Sequence, residues 1–192
     1  MPLLLITPPA AEPVTVADIK AAARIDDTVF DAQLTSLLIP AIRREAEHRL
    51  GRRLITQTVE LVLDAFDGSE HIDLTLPDAQ AITSIKYLDT AGAEQTLSGT
   101  VYQLDQDSIP SRALLKPSQS WPATQDVPNA VRVRYTVGYG PSATDVPGNV
   151  RLWIIANVIQ SLDNPAGLNT AGLQPLPYVD RLLDAESILR AA

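Results

Sequence analysis

The sequence contains no cysteine, which excludes disulfides, thiol nucleophiles and Cys-ligated zinc together and fits a reducing compartment. Histidine is almost as scarce. His48 lies in a charged helical stretch and His71 in a strand-like one, and neither has a second histidine near it, so a zinc centre is not expected. Aromatic residues make up 5% of the chain, which leaves a core to be built from Leu, Ile, Val and Ala. No apolar run approaches the roughly 18 residues of a membrane span. The opening Leu3–Ile6 run is too short for a secretory signal and lacks a basic flank, so the expectation is a soluble protein made in the cytosol. Basic residues are outnumbered, 15 against 23, for a formal net charge of −8. A surface of that sign repels phosphate backbones, and generic nucleic-acid binding is not expected.

Catalytic signatures are missing as well. There is no phosphate-cradling glycine loop, no Gly-x-Ser-x-Gly elbow and no His-Glu-x-x-His. Val137-Gly138-Tyr139-Gly140 reads as a strand end running into a turn, because no helix-opening pattern follows it. Loop carboxylates such as Asp105, Asp107 and Asp126 read as solvated groups rather than an acid/base pair. The sequence therefore gives no catalytic, cofactor-binding or metal-binding residue, and a non-enzymatic role is expected.

What is present is a pattern that changes period. At 192 residues, 45% of them apolar and 20% charged, the chain can bury one good core, or a core with an inserted subdomain. Fifteen prolines cluster between the periodic segments and mark defined loops. Residues 1–14 are expected to be extended. Thr15 and Asp18 form a capping box for a short helix that carries Val16, Ile19 and Ala23 and ends near Arg24. Thr28-Val29-Phe30-Asp31 repeats the capping pattern and opens a long helix. Its predicted apolar stripe is Phe30, Leu34, Leu38, Ile42, Ala46 and Leu50, with Leu37 and Ala41 beside it. Pro40 predicts a kink or a division just before it. The charged residues Arg43, Arg44, Glu45, Glu47, His48, Arg49, Arg52 and Arg53 read either as a solvated face with Glu–Arg pairs or as a contact surface for an acidic partner or a neighbouring subunit.

After Gly51 the period becomes two. Alternation at Val59, Leu61 and Leu63, at Ile72, Leu74 and Leu76, and at Val131, Val133, Tyr135 and Val137 predicts strands. The stretches 82–88 and 101–104 are strand-like too. Turn signals between these stretches suggest a small antiparallel sandwich or barrel-like sheet. Asp105 to Asn129 reads as the longest irregular loop and contains Ser120-Trp121-Pro122. Helical spacing returns between Asn149 and Asp163, where apolar residues occupy both the 150/153/154/158 and the 152/155/159/162 sides. A helix apolar nearly all round must be covered on both sides, one by its own core and the other by a neighbouring subunit. Residues 164–177 read as a mobile Pro/Gly-rich linker. Tyr178, Val179, Leu182, Leu183 and Leu189 form a last helical pattern, docked on its own domain or on a partner. The expected fold is α+β. Residues 57–140 form a β-rich insertion, while residues 1–56 and 141–192 together make one helical domain.

Taken in order, Leu5-Ile6-Thr7-Pro8-Pro9, Glu12-Pro13-Val14-Thr15, Gly51-Arg52-Arg53-Leu54-Ile55-Thr56-Gln57-Thr58-Val59-Glu60-Leu61, Ser120-Trp121-Pro122, Val131-Arg132-Val133-Arg134-Tyr135, Gly138-Tyr139-Gly140 and Val146-Pro147 before Val150-Arg151 resemble the head–tail connector (adaptor) family of tailed bacteriophages and prophages. The resemblance covers roughly residues 3–160. It implies a helical adaptor core with a β insertion, assembled as a ring, commonly dodecameric, beneath the portal protein in the virion neck. The genome would pass through the lumen without sequence-specific binding, and the ring would offer a surface to the next head-completion or tail-side neck protein. Assembly would take place in the host cytoplasm, with no membrane involved. An acidic lumen would let DNA slide where a cationic one would hold it, so the charge of −8 suits such a channel. The residues expected at a subunit or partner interface are Arg44, Arg49, Arg52 and Arg53 at the arginine corner, and Trp153, Ile155 and Ile159 on the double-sided helix. The alternative is a non-enzymatic binding module, for a glycan or a protein, using the loop around Trp121.

Overall fold

The computed structural model describes residues 2–163 and 177–187. It is a mixed α+β structure with antiparallel sheets. It divides into two compact units: Met1–Ala10 with Thr56–Tyr139, and Ala11–Ile55 with Gly140–Ala192. The chain leaves the helical unit after Ile55 and re-enters it at Gly140, and those two residues are joined by a parallel bridge.

The β unit contains a five-stranded sheet in the order β1-β2-β8-β4-β5 and a three-stranded sheet in the order β3-β7-β6. The first is built from β1 (Leu3–Thr7), β2 (Gln57–Leu63), β8 (Val131–Val137), β4 (Ala79–Leu88) and β5 (Glu94–Thr96). The second is built from β3 (His71–Asp73), β7 (Arg112–Leu115) and β6 (Tyr102–Asp105). Alternation does the sorting. Val59 and Leu61 on β2, Val131, Val133, Tyr135 and Val137 on β8, and Ile85 on β4 point into one core with Ile72 and Ala113 of the smaller sheet. Tyr135 is fully buried and donates its hydroxyl to the Leu74 carbonyl, so the polar tip of the ring is satisfied inside the core.

Two strand assignments go beyond the periodicity. The extended N-terminal stretch is an edge strand: Leu3, Leu4 and Leu5 lie opposite Leu61, Glu60 and Val59, with a bulge before Thr7. The stretch from Asp105 to Asn129 is not one irregular loop, because β7 crosses it and pairs with both β3 and β6. Four residues between prolines are too few for periodicity to register, yet they complete a sheet.

The other face of the large sheet carries a buried acid. Glu60 is 5% exposed and accepts from Arg132 at 2.9 Å and from Arg134 at 3.1 and 2.8 Å. Burial alone would raise its pKa, but hydrogen bonds and charge from Arg132 and Arg134 outweigh burial and hold it below its ordinary value of 4.5.

The helical unit opens with α1 (Val16–Ala23), capped as expected by Thr15 with Asp18 reciprocating and closed by Arg24 in the left-handed region. The next helix starts at Asp31, and the expected cap at Thr28 is absent. Asp27 instead takes the Val29 amide in a turn, and no side chain caps Phe30. From Asp31 the chain is helical through α2 (Asp31–Gln33), a π-turn (Leu34–Leu38) and α3 (Ile39–Leu50). The disruption expected before Pro40 is this π-turn. Pro40 has no amide and its ring crowds the preceding turn. The Ile39 amide reaches back five residues to Leu34, while Thr35 and Ser36 hydroxyls donate to the Asp31 and Ala32 carbonyls.

One extra residue in a turn rotates everything after it. The buried positions therefore run Leu34, Ile39, Arg43, Ala46, Glu47 and Leu50. Ala46 and Leu50 keep their expected places. Leu38 and Ile42 move to half-buried positions, and Phe30 and Leu37 are 40% and 58% exposed. Gly51 closes α3 in the left-handed region at φ 67°. α4 (Gly148–Asp163) packs against α1, α3 and α5 (Pro177–Asp184). The linker expected at 164–177 lies, up to residue 176, outside the described residues, as does Leu189.

Replacing Glu60 by Gln should cost about 1.5–3 kcal/mol at pH 7, the worth of hydrogen bonds to a charged group. The folded-state pKa of Glu60 is depressed, so its contribution is present above pH 4.5 and is lost as pH falls through the folded value. The gap between the wild-type and Glu60→Gln stability curves should narrow as pH falls from the ordinary value of 4.5 through the depressed folded value in urea titrations; a gap that stays constant throughout the acid range would contradict the assignment.

Candidate subunit interface

The arginine corner is built around a carboxylate, not around free arginines. Glu47, 3% exposed, accepts from Arg43 at 3.2 Å, from Arg53 at 3.0 Å and from the Leu54 amide at 3.2 Å. Arg43 is 5% exposed and also donates to Glu12 at 2.7 Å. This network ties α3, the chain before α1 and the chain after Gly51 into one piece. The π-turn is its cause, since it rotates Arg43 and Glu47 inward. Reading the stretch as a solvated face misplaces these two residues, and Pro40 was the signal that a shift in phase was due.

Arg49 sits on the outer side of the same helix. It bonds Glu45 at 2.8 Å and Asp180 at 3.1 Å, and its guanidinium lies 5.2 Å from the Trp153 ring centroid. The Glu45 hydrogen bond raises its pKa further, reinforced by charge from Glu45 and Asp180 over the opposing effect of burial. Trp153 is 1% exposed and donates Nε1 to the same Asp180 carboxylate at 3.4 Å. One cation, one ring and one acid thus join α3, α4 and α5, and the Asn149 side chain adds a bond to the Leu182 carbonyl at 2.8 Å. Asp180 was not among the expected site residues; it lies too far along the sequence for spacing to link it to Arg49.

The seven expected interface residues separate accordingly. Trp153 belongs to the core of its own unit, while Arg49 and Arg53 are engaged within it. Arg52 is half-buried and Arg44 is exposed. On α4, Val150, Trp153, Ile154 and Val158 are buried, which is the inward side that the spacing suggested. Leu152 on the other side is 46% exposed, and Ile155, Ile159 and Leu162 are half-buried beside it. With Val29 at 77%, Phe30 at 40% and Leu37 at 58% exposed, the helical unit shows apolar side chains on both α4 and the segment leading into α3. α5 packs on α4 and α3, with Leu183 buried, so it docks on its own unit.

Trp121, the centre of the alternative reading, is half-buried. Its ring stacks on Phe66 at 5.0 Å with the planes 6° apart, and its Nε1 donates to the Ser69 carbonyl at 2.8 Å. One face and the N–H are spent on packing. Among the described residues no group of three or more His, Cys, Asp and Glu side chains is placed to hold a metal ion, and no helix is long and apolar enough to cross a membrane.

No family model matches the sequence, and no curated protein matches it. Solved structures do. A chain in the neck of an empty GTA particle, computed with C6 symmetry, superposes with a TM-score of 0.82 at 21% identity, covering 100% of this chain and 98% of that one. A chain in the virion of a native gene transfer agent (GTA) particle gives 0.79 at 21%, with the same coverage. A chain in the neck of a native GTA particle, computed with C12 symmetry, gives 0.79 at 22%, again covering 100% and 98%. At these identities the likeness establishes a shared fold along the full length.

Removing the Glu47 carboxylate takes one partner from buried Arg43, which keeps Glu12, and takes the carboxylate from Arg53 and the buried Leu54 amide. Glu47→Ala should therefore cost about 3–5 kcal/mol in chemical unfolding, the range for breaking a buried pair. Glu45→Ala, which breaks an ion pair with both side chains 47% exposed, should cost less than about 1 kcal/mol. Equal losses for the two variants would remove Glu47 from the centre of the corner.

Proposed function

We propose that this chain is a head–tail connector (adaptor), a non-enzymatic structural protein that forms a ring beneath the portal in the neck of a phage-like virion. In this reading the ring extends the DNA channel and presents a surface to the next neck or tail protein. The observation that carries it is the fold shared over the full length with chains from GTA necks. The C12 symmetry used for one of those necks fits a dodecamer, and assembly in the host cytoplasm completes the proposal.

The surface supports the reading. A ring needs a heterologous interface, with two different patches on each subunit that meet head to tail. The helical unit offers apolar side chains on two elements: Leu152, Ile155 and Ile159 on α4, and Val29, Phe30 and Leu37 ahead of α3. These two groups of apolar side chains supply the two different patches that such an interface requires. Arg44, exposed on α3, is the member of the arginine corner assigned to the neighbouring subunit. Arg49, Arg52 and Arg53 are assigned to holding the corner in shape behind it. The excess of acidic residues gives a channel wall that does not grip DNA.

Native mass spectrometry of the chain, alone and with its portal, should give a ring species or a complex of the portal's symmetry. Ile155→Asp should abolish that species while the monomer unfolds within about 1 kcal/mol of wild type, as expected of a substitution at a half-exposed site. Undiminished assembly of Ile155→Asp would remove α4 from the interface, and a monomer under every condition would sink the ring itself.

A further inference from the structure

The outer face of the five-stranded sheet carries an ordered charge pattern that the connector reading does not use. The register lines up Leu4, Glu60, Arg134 and Ser84 across β1, β2, β8 and β4, and in the next row Val62, Arg132, Lys86 and Thr96 across β2, β8, β4 and β5. Directly paired residues in antiparallel strands present their side chains on the same face, so each row shares one face of the sheet, with Glu60 and Val62 buried within it and the cations exposed around them. Glu60 fixes both arginines. Their side chains remain 43% and 40% exposed.

Two features mark this face as unfinished in the isolated chain. Arg132 and Lys86 are directly opposite each other, an arrangement of like charges that disfavours the sheet, and Lys86 is relieved by the exposed Glu94 at 2.7 Å. On the other side of Glu60, Leu4 is 43% exposed, on an edge strand whose Leu5 and Ile6 are also 53% and 39% exposed. Edge strands are normally blunted with charge, and this one is apolar. Oriented arginines next to exposed leucine are the composition of an interface centre rather than of a solvated rim.

We propose that this face receives an acidic loop of a second copy of this chain, a proposal that rests on the ring reading above. Charge complementarity selects the occupant. Between Thr56 and Tyr139 there are eleven Asp and Glu residues against five cations. Of those five, Arg112 is engaged by Asp73 and Lys116 by the Gly99 carbonyl on the smaller sheet. The other three, Lys86, Arg132 and Arg134, are gathered on this one face. A neighbouring β unit thus offers exposed carboxylates such as Asp64, Asp67, Glu70 and Asp126 to the cationic patch it lacks elsewhere. DNA fits less well, because a polyanion must approach through the field of the surrounding acids, whereas a single loop is held within a Debye length of the arginines.

The test follows ring assembly of the full chain by native mass spectrometry over a range of concentration and salt, with thermal unfolding as the control for folding. Leu4→Ser removes the exposed apolar side chain opposite Glu60 without adding a charge and leaves every buried ion pair intact. Arg132→Ala removes the more exposed cation. Each should raise the concentration for half-assembly by about tenfold or more, the loss expected for a central interface residue, read at temperatures where thermal unfolding shows both variants folded; Leu4→Ser should leave Tm unchanged, whereas Arg132→Ala, which takes one hydrogen bond from Glu60, should lower it. Wild-type rings should also dissociate as salt rises. If wild-type rings form and both variants assemble equally well, this proposal falls and the ring reading stands. If the wild type stays monomeric alone and with its portal, both fall. If fluorescence polarisation with a short duplex DNA shows binding that Arg132→Ala abolishes while its rings persist, the face belongs to nucleic acid and the proposal is overturned.

Discussion

The helical unit depends on one missing hydrogen-bond donor. Pro40 cannot supply an amide to the turn before it, and the chain answers with a π-turn instead of a break. The helix survives, but its phase changes. Ile39 replaces Leu38 as a buried residue, and Arg43 and Glu47 rotate inward, where the Glu47 carboxylate gathers Arg43, Arg53 and the Leu54 amide. The same change of phase leaves Leu37, inside the π-turn, exposed. One proline thus sets both the polar centre of the unit and part of the apolar surface assigned to its neighbour.

Much of the fold was legible because local rules and tertiary packing agreed. Thr15 and Asp18 cap α1 as their spacing requires, Gly51 ends α3, and the alternation of β2 and β8 identifies the faces that meet in the core. Where the reading fell short, the cause was physical. Periodicity counts 3.6 residues per turn and is blind to a turn that holds one more. A four-residue strand such as β7 is too short to show a period. The Arg49–Trp153–Asp180 cluster joins residues 131 positions apart, a distance that no spacing rule spans. The double-sided character of α4 was visible. That Trp153 faces inward while Leu152 stays open required knowing where α3 and α5 pack.

The two units divide the electrostatic work differently. In the helical unit the arginines are balanced against Glu12, Glu45, Glu47 and Asp180, so charge is used to hold the unit together. In the β unit carboxylates dominate the loops, and three of its five cations collect on one sheet face around Glu60. Sharing a fold with chains of a neck is compatible with both uses.

β1 and β2 are neighbours in the sheet, yet α1, α2 and α3 lie between them in the chain. During synthesis the first strand is made long before the strand it pairs with, and the helices in between emerge while it waits. Leu3, Leu4, Leu5 and Ile6 form an apolar run without a single charge, and an apolar strand edge left open is a template for pairing with another chain. Bridging the intervening residues adds little entropy per residue, since closure cost grows only logarithmically with length. The hazard is therefore kinetic rather than thermodynamic. At high expression, nascent chains crowded on one message would find each other's first strands before their own second strands had been made, which favours a tightly folding α1–α3 segment that brings β2 back quickly.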